Sequence, residues 1–173
     1  MTVIFIDGND LRANEVRQVI SNIDLRVEQL QTGFATSAPE PEQKARDKVL
    51  AHHVTAACFA EAVDLTTMDG KSLRLELDSE NENRFCKWWR EKPVQMQLRI
   101  ALRREGSKDI EVIAATCPGV IADKPAGPHL LGWDRLFVPD GEDYTLAQLI
   151  EAGEVTEFRR TAYTNVARAL GLS

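Results

Sequence analysis

The chain has 173 residues, 43% hydrophobic and 28% charged, a balance that suits one soluble globular domain with its own core. A net charge of −6 offers no broad basic surface, which argues against a stable nucleic-acid partner. The three cysteines Cys58, Cys86 and Cys117 form no C-x-x-C pair, which argues against a disulfide framework or a cysteine zinc site and fits a reduced, cytoplasmic setting.

At the start, Thr2–Ile6 is a short β-branched apolar run, read as a buried strand without the features of a signal peptide. The polar turn Asp7-Gly8-Asn9-Asp10 follows. From Asp10, which is expected to cap it, a helix carries Leu11, Val16, Val19 and Ile20 on one face. Residues 24–30 alternate as a second strand, and residues 40–53 form a charged helix after a loop. Residues 72–77 (SLRLEL) read as a strand and residues 81–91 as a short helix bearing Trp88-Trp89. Strands are expected at 94–102 and 110–115, joined by a turn at Glu105-Gly106-Ser107, with 118–121 extending the sheet. Residues 124–133 are a Pro/Gly-rich loop, 135–138 a short strand, and 144–152 and 156–170 helices, with Gly171 as a stop. Strands alternating with helices imply an α/β fold with an antiparallel portion. No stretch approaches the length of a membrane span, so no membrane partner is expected.

Three places carry candidate chemistry. The turn after the first strand puts backbone N–H groups and the positive end of a helix at one point, which suits an anion. There Gly8 permits close approach, Asn9 offers a donor, and Arg12 lies one turn into the helix. The plain alternative is a capped strand-to-helix turn, since neither G-x-G-x-x-G nor a Walker lysine is present. Carboxylates form the second group: Glu61 and Asp64, then Glu76, Asp78, Glu80 and Glu82, read either as Mg²⁺ ligands or as a solvated acidic face. His52 and His53 project about 100° apart on a helix and His129 has no partner nearby, so capping or solvated histidines are expected rather than a zinc site. Third, in the segment KPAGPHLLGWDRLFVPD, Trp133 is placed either to stack on a flat base or merely to pack.

That segment carries a resemblance. From Gly119 to Leu149 the chain resembles the inosine/xanthosine triphosphate pyrophosphatases (the ITPase-like family), with G-x-I-x-x-x-P-x-G, F-G-[WY]-D-P-x-F-x-P and T-x-A-E-[LM] patterns. The matching residues are Gly119, Ile121, Pro125, Gly127, Gly132, Trp133, Asp134, Phe137, Pro139, Thr145, Ala147 and Leu149. The family's T-G-N-x-x-K and helical E-[VL] resemble Asp7-Gly8-Asn9 through Arg12 and Glu15-Val16. Its E-T-G-x-T-F resembles Gln31-Thr32-Gly33-Phe34, leading to Lys44-Ala45, and its [DE]-D-[ST]-G-L resembles Glu61-Ala62-Val63-Asp64-Leu65.

The resemblance implies a single ITPase-like domain over 1–173: an elongated mixed α/β sheet flanked by helices, with two lobes around a central nucleotide cleft, usually a homodimer. It implies hydrolysis of a nucleoside triphosphate, typically of a deaminated purine, to monophosphate and pyrophosphate with Mg²⁺. Carried over by position, Glu61 and Asp64 are the catalytic and metal-holding acids. Substrate contacts fall on Asp7, Gly8, Asn9, Arg12, Lys44, Lys87, Leu131, Gly132, Trp133, Asp134 and Arg159. The chain departs from the pattern at Gln31, Ala62, Leu131 and Glu157-Phe158, where the family has an acid, an aspartate, a phenylalanine and S-H. These departures keep open a catalytically degenerate nucleotide-binding or interaction protein of the same fold. F-I-D-G-N-D alone also resembles the first strand of PIN/NYN-type nucleases, in which Asp7 would hold a metal.

Overall fold

The computed structural model describes residues 1–31, 38, 40–74 and 81–172. In chain order the elements are β1 (Thr2–Ile6), α1 (Asp10–Val19), β2 (Asp24–Glu28), α2 (Pro41–Ala51), β3 (Ala57–Thr67), α3 (Glu82–Trp89), β4 (Pro93–Arg103), β5 (Ile110–Ile121), the 3-10 segment η1 (His129–Arg135), β6 (Phe137–Pro139), α4 (Leu146–Glu151) and α5 (Glu157–Ala169). The sheet is mixed: β1 pairs in parallel with β2 and β3, while β5 and β6 are antiparallel. The chain divides into two compact units, residues 1–62, 98–115 and 157–173, and residues 63–97 and 116–156.

In the first unit the strand order is β2-β1-β3-β4-β5. β1 lies between β2 (Thr2 opposite Asp24, Ile6 opposite Glu28) and β3 (Val3 opposite Ala57, Ile6 opposite Ala60). Flanked on both sides, Val3–Ile6 are buried, which is why the run is apolar without alternation. On one face Ile4, Ile6, Cys58 and Ala60 pack with Ala45 and Val49 of α2, whose first turn holds Pro41 where a missing N–H costs nothing. Alternation sends Phe5 and Phe59 to the other face, where their rings stack at 4.6 Å. The cap of α1 is Asn9 rather than the expected Asp10: the Asn9 Oδ1 accepts from the Arg12 N–H at 2.9 Å.

The second unit carries residues 63–67 of β3, 93–97 of β4 and 116–121 of β5, then β6. Gly119 faces Pro139 across the β5–β6 pair, and an added Cβ would lie 2.3 Å from the Val138 carbonyl oxygen, so only glycine fits. α4 starts from a full capping box: the Thr145 Oγ1 accepts from the Gln148 N–H, and the Thr145 N–H donates to the Gln148 side chain. In α3, Phe85 is buried and stacks on Trp89, while Trp88 is exposed.

Most expected elements are present within a few residues of their predicted limits. β3 is the strand that was not expected. Ala57, Cys58, Phe59 and Ala60 are all buried, so no alternation marks them, and two acids follow within the strand. Of the strand expected at 72–77, residues 75–77 lie outside the described residues, and Ser72 makes an isolated antiparallel bridge to Thr66. Residues 110–115 and 118–121, expected as separate runs, form one continuous strand, β5.

Candidate functional site

In the first unit, β1 ends at Ile6 while β3 runs on past Ala60. β1 leads through α1 to β2 on one side, and β3 leads on to β4 on the other, so the strand order reverses between β1 and β3. Such a reversal at the carboxyl end of parallel strands leaves a crevice where α/β sheets take ligands. Glu61 and Ala62, which lack a β1 neighbour, are correspondingly half-buried where residues 57–60 are buried.

The chain leaves β1 through a tightly held turn. Asp7 adopts a left-handed backbone, φ 57°, which aspartate tolerates better than most side chains. Its N–H donates to the Glu28 carbonyl at 2.7 Å, and the Gly8 carbonyl accepts from the Gln29 amide at 2.7 Å. Gly8 is required for space rather than for its φ: a Cβ would lie 2.6 Å from the Phe5 ring. The turn thus delivers Asn9 to the start of α1 with Arg12 one turn further on.

Charged side chains converge around this turn in pairs. The Lys48 ammonium of α2 donates to the Asp7 Oδ2 at 3.0 Å and to the Glu61 carbonyl oxygen at 3.2 Å. His52 Nε2 meets Glu28 Oε2 at 2.9 Å. The Arg12 Nη1 reaches Glu15 Oε2 at 3.5 Å, both side chains buried. Arg159, fully buried on α5, donates from Nη1 to Glu61 Oε2 at 3.3 Å and to the Tyr163 hydroxyl at 3.1 Å. Its guanidinium also lies 5.5 Å from the Phe158 ring centroid. Burial, and then the Glu61 carboxylate, push the Tyr163 hydroxyl well above its ordinary pKa, so it stays a neutral hydrogen-bonding group.

Of the residues expected to bind substrate, the first unit holds Asp7, Gly8, Asn9, Arg12, Lys44 and Arg159, together with Glu61. Asp7, Gly8, Asn9 and Arg12 share one turn, and Asp7 is joined to Glu61 through Lys48. Lys44 is half-buried on α2. The second unit holds Asp64, Lys87, Leu131, Gly132, Trp133 and Asp134. Asp64 is buried at 3% exposure. Lys87 is exposed on α3. Of the other candidate Mg²⁺ ligands, Glu76, Asp78 and Glu80 lie outside the described residues.

In η1, Gly132 makes the bend with φ 50° and ψ −119°. Leu131 and Asp134 point into the protein, while Trp133 is half-buried. The next residue, Arg135, ties the loop down: its Nη1 donates to Glu82 Oε2 at 2.5 Å and its Nε to the Gly127 carbonyl at 3.2 Å. A cavity of about 440 Å³ opens in this unit, lined by Val120, Ile121, Lys124, Val138, Tyr144 and Thr145 among others.

Sequence reasoning passed over Lys48, Tyr163 and the His52–Glu28 pair. Lys48 had one available signal, its position one turn beyond Lys44 on the same helix face. Tyr163 stands in the same relation to Arg159.

Among the described residues no group of three or more His, Cys, Asp or Glu side chains is placed to hold a metal ion. The donor chemistry nevertheless suits Mg²⁺ at Glu61: its Oε1 is buried and has no hydrogen-bond partner among the described residues. Magnesium commonly takes one or two carboxylates and fills its other positions with water and substrate phosphates.

This mixed α/β fold is shared by solved structures. A HAM1 protein from Coxiella burnetii aligns with a TM-score of 0.68 at 14% identity, over 99% of this chain and 98% of that one. The Staphylococcus aureus Ham1 protein gives 0.59 at 18% identity, over 96% of each chain. Residues 3–168 match the Ham1 family, and the chain belongs to it. The resemblance to the inosine/xanthosine triphosphate pyrophosphatases is thereby borne out, as is the mixed sheet flanked by helices. A dITP/XTP pyrophosphatase from Hyperthermus butylicus is 41% identical over 59 residues, which is 34% of this chain and 30% of that protein. Another from Nocardia farcinica is 49% identical over 43 residues, 25% of this chain and 21% of that protein. Family membership over 3–168 takes the place of the nuclease-like reading of the first strand. Among the described residues, no helix is long and apolar enough to cross a membrane.

Proposed function

We propose that the chain is a Mg²⁺-dependent nucleoside-triphosphate pyrophosphatase. Water attacks between the α and β phosphates of a deaminated purine nucleotide, giving the monophosphate and pyrophosphate. The observation that carries this reading is the turn Asp7–Arg12 at the strand-order reversal, with Lys48 and Glu61 beside it. The naming of the partial relatives as dITP/XTP pyrophosphatases supports it.

In this reading the Gly8 and Asn9 backbone and the Arg12 guanidinium hold phosphate oxygens, with Lys44 beside them. Glu15 fixes the direction of Arg12 by taking one of its N–H groups. Glu61 contributes a carboxylate to Mg²⁺, which when bound supplies Lewis-acid polarisation of the phosphates and lowers the pKa of water. Asp64 is the second acid assigned by position. Arg159, fully buried, acts by holding Glu61 and so keeps one carboxylate oxygen directed. Leu131, Gly132, Trp133 and Asp134 are assigned to the base, and Lys87 to the substrate, by position in the family pattern. Homodimer assembly, a cytoplasmic location and the absence of a nucleic-acid partner belong to the same proposal.

Incubation with a panel of nucleoside triphosphates, including ITP, dITP and XTP, with and without Mg²⁺ tests the reading through pyrophosphate release. Release from at least one nucleotide only with Mg²⁺ is expected, and no release from any would refute it. One observation favours a second reading, a nucleotide binder without turnover: Arg159 already takes one oxygen of Glu61. Thermal stabilisation by a nucleotide with no pyrophosphate release would select that reading.

A further inference from the structure

We propose that Lys48 is a phosphate-binding residue of this site, held in place by Asp7 and the Glu61 carbonyl; this rests on the triphosphate reading above. The family pattern places its lysine at Lys44, so Lys48 is an addition of this chain, as is the carboxylate of Asp7 where the family has threonine.

The argument starts from the donor count. An ammonium has three N–H donors. Two are used, by the Asp7 Oδ2 at 3.0 Å and the Glu61 carbonyl at 3.2 Å. No further partner exists among the described residues, and 21% of the side chain remains exposed. Nor is Lys48 drawn to its own helix, where Arg46 pairs with Glu42 and Gln43 with Asp47.

Position gives the third donor its use. Asp7 follows Ile6 and Glu61 follows Ala60, the last paired residues of β1 and β3, so the ammonium spans the point where the strand order reverses. On a free lysine, four rotatable bonds would have to be ordered by the ligand. Here two hydrogen bonds have ordered them beforehand, which lowers the entropic cost of gripping an anion. Asp7 alone would repel a polyphosphate from the turn. With Lys48 on it, the Asp7 charge is offset and the turn carries an N–H that a phosphate oxygen can accept. The ligand class is therefore the polyphosphate arm of a nucleoside triphosphate.

Titration with inorganic tripolyphosphate, followed by calorimetry at fixed ionic strength, tests Lys48 apart from hydrolysis. Lys48→Met is expected to raise Kd about tenfold or more, the loss of one charge-assisted hydrogen bond. That variant also leaves Asp7 bare, so the double variant Asp7→Asn with Lys48→Met is the decisive one. If the ammonium contacts phosphate, the double variant stays several-fold weaker than wild type. A double variant that binds as wild type does, or a Lys48→Met Kd that does not change, would overturn the proposal, Lys48 then serving only to neutralise Asp7. Wild type that fails to bind tripolyphosphate would overturn it too. Absence of pyrophosphate release from every nucleotide would count against the hydrolytic reading alone and leave this titration to decide Lys48.

Discussion

Replacing Glu61 by alanine should destabilise the chain far more than an ordinary surface substitution. Glu61 Oε2 lies 3.3 Å from the Arg159 Nη1, and Arg159 is fully buried. At an effective dielectric of about 20, charges at that separation attract by roughly 5 kcal/mol, most of it offset by the desolvation of both ions. Glu61→Ala removes the attraction and leaves the desolvated guanidinium, a cost of about 3–5 kcal/mol. The Tyr163 hydroxyl and the Phe158 ring still face Arg159, which places the expected loss toward the lower end. For a chain of this size that corresponds to a fall in Tm of roughly 6–20 °C. Urea unfolding at pH 7, with midpoint and m-value both fitted, measures it. Glu61→Gln should lose less, because its amide oxygen still accepts from Arg159. Glu61→Leu combined with Arg159→Met should recover much of the stability, since both charges then go together. A Glu61→Ala variant within about 1 kcal/mol of wild type at unchanged m would show that the pair is not what holds α5 to β3.

Gly119→Ala should cost at least about 1–3 kcal/mol, read as a lower urea midpoint, because the new methyl meets the Val138 carbonyl and the Phe137 ring. Thr145→Ala should cost about 1–2 kcal/mol, since it removes the α4 cap and the hydrogen bond from Oγ1 to the Ala126 carbonyl at 2.8 Å; circular dichroism melts will show it. Stability should fall at alkaline pH. Burial, and then the Glu82 charge, push the Cys86 thiol up to about 11 from an ordinary 9.0, and burial raises Cys58 and Tyr163 as well. The folded chain thus holds these protons more tightly than the unfolded one. The Cys86 contribution is complete below about pH 9 and is lost as pH rises toward 11. A urea midpoint that rises across that interval would contradict the assignment.

Local signals in the sequence were strong wherever one physical requirement dominated. The alternating or β-branched runs became β1, β2 and β4, and the periodic segment after Asp7 became α1. The Gly119–Leu149 pattern pointed to the family because its glycines and Thr145 meet steric and capping needs that few other residues satisfy. β3 was not legible, because its first four residues are buried on both faces and its acids interrupt the apolar run. The cap of α1 shifted from Asp10 to Asn9 because the choice depends on where the left-handed turn at Asp7 ends, a backbone property that composition does not carry. The Arg159–Glu61 and Lys48–Asp7 pairs join residues far apart in the chain, so no periodicity could announce them. Family position brought Arg159 forward as a residue for the base; its burial against Glu61 is a tertiary fact.

The strand order ends in β2 on one side and β6 on the other, and each end must be kept from recruiting another molecule's strand. β2 is only five residues long and places Asp24 and Arg26 in solvent, joined by a salt bridge at 2.9 Å. An incoming strand would have to bury those charges beside it. β6 has three residues and finishes in Pro139, which has no N–H to offer. Protection against fibril-like growth therefore rests on a handful of residues in the two terminal strands. Apolar substitutions at Asp24 and Arg26 would remove it from the β2 side without touching the charged turn at all.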